Sequence, residues 1–201
     1  MISDLTRFNQ AIAKFDAANA EDPNKEVIDG KEYPKELLYA QRMSDMLNRF
    51  APDAPEHVQL AVRAQHICRW KVPRDGYPMT KAGYYQWRTY LYGFHGETAG
   101  AIMQELGYGQ EIIDKLKALL KKEKLKLNPE TQLLEDVIDL TFLEHYLEAF
   151  VTKYSSQYDE EKLLDILRKT WKKMSESGHE AALKLNYTPE MLAVVKKALG
   201  L

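Results

Sequence analysis

Apolar residues Leu5, Phe8, Ile12 and Phe15 recur every three or four positions, the spacing of one helical face, and this first helix is predicted to end near Asp22-Pro23. Residues 21–34 carry Asp, Pro, Asn and Gly in a polar setting with Ile28 as an apolar anchor, which predicts a connecting loop and the earliest proteolytic nick. Leu37, Leu38, Met43, Met46 and Leu47 predict a second helix from about Pro34 to Phe50, stopped by Ala51-Pro52. Asp53 is placed to cap a third helix that has Pro55 in its first turn and runs through His66 to about Trp70. Pro73, Gly76 and Pro78 interrupt regular structure before Thr80 caps a long fourth helix to Leu106, with Gly93 and Gly96 as candidate bends. Residues 109–122 read as an amphipathic helix with a Lys-rich end. Asn128-Pro129 opens a sixth helix through about Lys153, and apolar residues nearly surround its axis, the pattern of a central helix in a bundle. Asp159 starts a helix to about Ser175, and Thr188-Pro189-Glu190 starts the last, to Leu199. No stretch alternates as a strand does. The reading is all-α, a single compact domain over residues 1–201 of about seven to nine helices.

Composition narrows the function classes. A chain of 201 residues, 45% hydrophobic and 29% charged, can bury one good core. Its 28 basic and 30 acidic residues nearly cancel, which argues against a general nucleic-acid binder or a protein held to membranes by bulk charge; any anion site must be local. The amino terminus lacks the basic start and apolar run of a signal peptide, and no stretch approaches the roughly 20 apolar residues of a membrane span, so a cytoplasmic protein is expected. The single cysteine, Cys68, excludes an internal disulfide framework and a multi-cysteine zinc site, and it reads as buried packing.

The chemistry concentrates between Gln65 and His95, a stretch with two of the five histidines, two of the three tryptophans, a run of tyrosines, and Arg69, Arg74 and Arg88. These residue types suit an anionic or metal-bound ligand. Helical spacing puts His95 between Leu91, Ile102 and Leu106, with Arg88 two turns earlier on the same stripe. Gly93, Gly96, Ala99 and Gly100 keep its surroundings slim enough for a second helix or a ligand to approach. On the sixth helix Asp136 shares a stripe with Leu133, Leu140, Leu143 and Leu147, where a carboxylate must meet a metal, a cation or several donors. His66 lies on a face with Gln59, Val62, Arg63 and Trp70, away from the apolar arc of its helix. A structural reading stands beside the functional one: a core Asp paired with His or Arg, and His66 on a polar edge. His57, His145 and His179 read as structural. Tyr84, Tyr85, Trp87, Tyr90, Tyr92 and Phe94 surround one helix instead of lining a groove, so they read as core and interface aromatics and not as a base-stacking platform.

The phrases E-L-L-Y-A-Q-R-M from Glu36, Q-H-I-C-R-W-K-V-P-R from Gln65, Y-P-M-T-K-A-G-Y from Tyr77, F-H-G-E from Phe94 and L-E-D-V from Leu134 resemble an uncharacterised family, the domain of unknown function 4202, over about residues 3–198. Their order is more distantly similar to HD-domain phosphohydrolases, helical enzymes that bind metal through a His, a His-Asp pair and a late Asp. That resemblance implies an HD-domain-like helical bundle in which His66, His95 and Asp136 hold one divalent ion, Zn, Mn or Fe. Ile67 stands in place of the paired aspartate and Tyr39 in place of the first histidine, which removes the ligands for a second ion. The implied activity is hydrolysis of a small anionic substrate by metal-bound water, with Arg42, Arg69, Arg74 and Arg88 neutralising the substrate and Glu135 accepting a proton. The rival is a non-catalytic protein whose arginines hold an anionic metabolite or a partner's acidic segment. A homo-oligomeric scaffold is the third reading, on the strength of the aromatic run.

Overall fold

A computed structural model describes residues 2–155 and 159–200, and these form ten α-helices and one two-stranded sheet, in two compact units of residues 1–124 and 125–201. The fold is mostly helical, and among the described residues no helix is long and apolar enough to cross a membrane.

In the first unit, α1 (Leu5–Ala20) begins at Asp4, whose carboxylate accepts from the Arg7 amide, and it buries Ala11, Phe15 and Asn19. Residues 21–34 are not a plain loop. They form an antiparallel hairpin of β1 (Lys25–Ile28) and β2 (Lys31–Pro34), with Lys25 opposite Pro34 and Ile28 opposite Lys31. Asp29 and Gly30 make the turn at φ 51° and 77°, as an Asp-Gly hairpin turn requires. Strands of four residues with no buried side chain leave too little apolar alternation to read, and only the Asp-Gly pair marks them. The hairpin is tied to α2 (Lys35–Phe50) by the Asp22 carboxylate, which accepts from the Glu36 amide, and by Arg42, 2.6 Å from Glu26.

Helix α3 (Glu56–Arg63) starts at Pro55 without a side-chain cap, so Asp53 does not cap it, and it stops well before Trp70. Beyond it the chain turns through Cys68, held in the left-handed region at φ 53° while its amide donates to the buried Asn19 side chain at 2.9 Å. Short 3-10 turns follow at Arg69–Lys71 and Arg74–Gly76. Two side chains fix this segment: Arg74 donates to the carbonyls of Tyr77 and Pro78, and Trp87 Nε1 donates to the Val72 carbonyl at 2.9 Å. Thr80 caps α4 (Lys81–Glu105) as the sequence predicts. The slim stripe of α4 receives α5 (Gln110–Leu120): a Cβ on Gly100 would stand 2.6 Å from Lys117 Cε.

In the second unit, Asn128 caps α6 (Pro129–His145). The continuous helix expected to Lys153 breaks at Tyr146, where φ −124° and ψ −12° leave helical geometry, and α7 (Leu147–Tyr154) follows. Apolar periodicity on both sides conceals such a break, because neither Pro nor Gly marks it. Helix α8 (Glu160–Lys173) is capped by Asp159 and α10 (Pro189–Leu199) by Thr188, both as predicted. Between them lies an unpredicted helix, α9 (Glu176–Ala182), capped by Ser175. α6 contacts α7, α8 and α9, and α8 contacts α10.

Gly178 brings α9 against α6 so closely that an added Cβ would lie 2.7 Å from Asp136 Oδ1, whereas one on Gly93 of α4 would meet nothing within 4 Å. Gly178→Ala is therefore expected to destabilise by about 1–3 kcal/mol, as overpacking does. Gly93→Ala should stabilise by up to about 1 kcal/mol through helix propensity. Urea unfolding of the two variants checks the opposite signs.

Candidate functional site

Four segments of the first unit converge: the first turn of α2, the turn after α3, the middle of α4 and the chain beyond α5. His95 on α4 is 3% exposed, and its Nδ1 stands 2.8 Å from the Ile67 carbonyl. A carbonyl only accepts, so Nδ1 carries the proton and Nε2 is left with a lone pair; Nε2 is buried and among the described residues has no hydrogen-bond partner. Its neighbour His66, 5.9 Å away between ring centroids, lies in the turn after α3 and is stacked on Tyr39 at 4.2 Å and 15°. His66 Nδ1 is 3.2 Å from Glu36 Oε2. Arg69 Nη1 is 3.2 Å and 3.1 Å from the two ring nitrogens of His66, which places the guanidinium against the ring and not at one lone pair. The Arg69 guanidinium also lies 5.0 Å from the Trp87 ring centroid, within cation–π range.

The electrostatics hold both imidazoles neutral. Burial, then His66 and Arg69, lower His95 to about 3, outweighing the Ile67 carbonyl and Glu36. Burial followed by Arg69, Arg88, Lys122 and Lys35 holds His66 well below its ordinary value, although 22% of its side-chain surface is exposed. The Glu36–His66 contact is accordingly one between a carboxylate and a neutral ring. Burial raises Glu36 itself, against the pull of Arg69, Lys35 and His95.

Two cations here lack the usual partner. The polar contacts of Arg69 are to the His66 ring, and those of Arg88 are to the hydroxyls of Tyr84 and Tyr92. Among the described residues neither guanidinium pairs with a carboxylate. Lys122, which lies 5.9 Å from the Tyr92 ring centroid and makes further contacts of its own, also acts on His66. A half-buried guanidinium whose hydrogen bonds go to neutral groups retains both its charge and spare donors.

The other candidates have structural employment. Arg42 is held by Glu26, and Arg74 by backbone carbonyls. In the second unit, Asp136 accepts from the Ser175 amide at 2.7 Å, the Ser175 hydroxyl at 2.6 Å and Gln132 Nε2 at 3.1 Å. Glu135 and Asp139, both buried, each lie 2.7 Å from Lys173 Nζ; against the effect of burial, Asp139 and Glu135 raise the lysine and keep it charged. The pair the sequence singles out and the structure joins is His66 with His95. Glu36 was not singled out, yet it occupies the buried stripe of Ala40, Met43 and Leu47, and the reasoning that marks Asp136 applies to it equally. Lys122 and Tyr39 carry no comparable signal.

Among the described residues no group of three or more His, Cys, Asp or Glu side chains is placed to hold a metal ion. As a metal centre the cluster of the first unit fits poorly, because a guanidinium lies against one of its two imidazoles. What fold and site define is a mostly helical protein with a cationic, histidine-lined cluster. A family model described as a domain of unknown function, DUF4202, matches residues 9–195, and the chain belongs to that family. No curated protein and no solved structure matches it.

The histidine pair gives stability a definite pH dependence. His95 binds its proton at 6.5 when unfolded and at about 3 when folded, so its contribution is complete above 6.5 and is lost as pH falls toward 3. His66 acts in the same direction, and Glu36, raised on folding, acts oppositely. Acidification from pH 7 to 4 should therefore cost on the order of a few kcal/mol. His95→Asn, which can still donate to the Ile67 carbonyl, should show a shallower slope in thermal unfolding across that range.

Proposed function

We propose that the cluster of His66, Arg69, Arg88 and His95 binds a small oxyanion, of the phosphate type, and that the protein is a binding protein for an anionic metabolite. The observation that carries this reading is the pair of guanidiniums, Arg69 and Arg88, whose hydrogen bonds among the described residues go to neutral rings and hydroxyls. An oxyanion between them gains charge-assisted hydrogen bonds without having to displace a carboxylate. Among the described residues that bear on the two histidines, Glu36 is acidic and Arg69, Arg88 and Lys35 are basic, so the local field is positive although the whole chain is slightly acidic.

The metal-dependent phosphohydrolase is the competing proposal, and it draws support from the unpartnered His95 Nε2, an atom that could ligate. The cations beside the histidines weigh against it, since each disfavours a second positive charge. Titration calorimetry with inorganic phosphate separates the two. The binding reading expects wild-type protein, purified without a histidine tag and carrying no stoichiometric metal, to bind phosphate. Arg69→Gln should weaken that binding about tenfold or more, the worth of hydrogen bonds to a charged group. Arg168→Gln, in the second unit, should leave it unchanged. A stoichiometric divalent ion that is lost in His66→Ala would overturn this reading in favour of the hydrolase.

A further inference from the structure

Resting on the anion-binding reading, we propose that the site selects an oxyanion that carries its own proton, hydrogenphosphate or the monoanion of a phosphomonoester, over a fully ionised one such as sulfate. Guanidinium and ammonium groups only donate, and a site made of them alone would serve sulfate and phosphate equally. His95 introduces the opposite polarity. Its Nδ1 proton is committed to the Ile67 carbonyl at 2.8 Å, and turning the ring over would strand that carbonyl. Nε2 is therefore an obligate acceptor, buried beside His66 and within the field of Arg69, and it has no partner. Among oxyanions, only one that carries an O–H group can satisfy it. Sulfate brings none at neutral pH, whereas a P–OH group does. The ring is neutral in the folded protein and so presents this lone pair throughout the physiological range.

The titratable groups that bear on the site are Lys35 and Glu36 of α2, His66 and Arg69 after α3, Arg88 on α4 and Lys122 beyond α5. Glu36 is raised by burial against the pull of Arg69, Lys35 and His95, and sulfate measured at the same pH reports its effect separately from that of the ligand proton.

The test is calorimetric titration with inorganic phosphate, phosphoserine and sulfate at pH 5.5 and 7.5. Phosphate should bind about tenfold or more tightly than sulfate, the cost of leaving one buried acceptor unpaired. Phosphoserine, whose second pKa is about 6, should weaken several-fold between the two pH values as it loses that proton, while sulfate changes less. His95→Asn should bring phosphate and sulfate to within about threefold of each other. Should that variant not fold, the 15N resonance of His95 Nε2 in the wild type replaces it: phosphate should shift it and sulfate should not. Equal binding of phosphate and sulfate by the wild type would overturn this selectivity and leave the anion site standing. Binding of none of the three would overturn the anion site itself, and this inference with it.

Discussion

The hydrogen bond between His95 and the Ile67 carbonyl organises the first unit. That carbonyl is available because α3 ends at Arg63 and the chain beyond it no longer forms a helical ladder. The same early ending lets Cys68 take a left-handed conformation, fixed by Asn19 from α1, and the resulting turn delivers Arg69 back to the ring of His66 three residues earlier. One bond thus joins α4 to the turn after α3, sets the tautomer of a buried imidazole and accompanies the placement of a guanidinium beside its neighbour. Removing the ring would leave a buried carbonyl without a partner, a loss of about 1–3 kcal/mol in addition to lost packing.

The two units treat buried charge differently, and the contrast gives the first its meaning. In the second unit the buried carboxylates of α6 are answered: Asp136 by Ser175 and Gln132, and Glu135 and Asp139 by Lys173. Such arrangements stabilise position and leave little for a ligand to gain. In the first unit Arg69 and Arg88 are supported by Trp87, Tyr84 and Tyr92, groups that fix their orientation without neutralising them. Two imidazoles kept uncharged beside these cations complete a cluster whose local charge balance is positive. Guanidiniums held in place by rings and hydroxyls, with no carboxylate paired to them among the described residues, have the electrostatic form of a binding site.

Most of the helices were legible in the sequence because a 3.6-residue period and a capping residue agree. Thr80, Asn128, Asp159 and Thr188 each accept the amide hydrogen bond that their position suggested. What escaped depends on contacts that no local pattern encodes. The Asp29-Gly30 hairpin has strands too short and too exposed for alternation to show, and the break at Tyr146 falls inside an unbroken apolar pattern. Among site residues, His95 and Asp136 were legible as polar groups on apolar stripes. The answer to Asp136 was not, because Ser175 comes from 39 positions along the chain. The surroundings of His66 were misread for a related reason, since it lies past the end of α3 and the face assigned to it as a helical residue does not exist.

The central claim is that His66 and His95 stay neutral, with the proton of His95 on Nδ1, in a cluster whose cations await an anion. Nitrogen-15 NMR of histidine-labelled protein at pH 6 reads this directly. The account predicts a neutral His95 with a protonated Nδ1 and a bare Nε2, a neutral His66, and a change at His95 Nε2 when phosphate is added. A His95 carrying protons on both nitrogens at that pH, or one whose resonances ignore phosphate at saturating concentration, would contradict it.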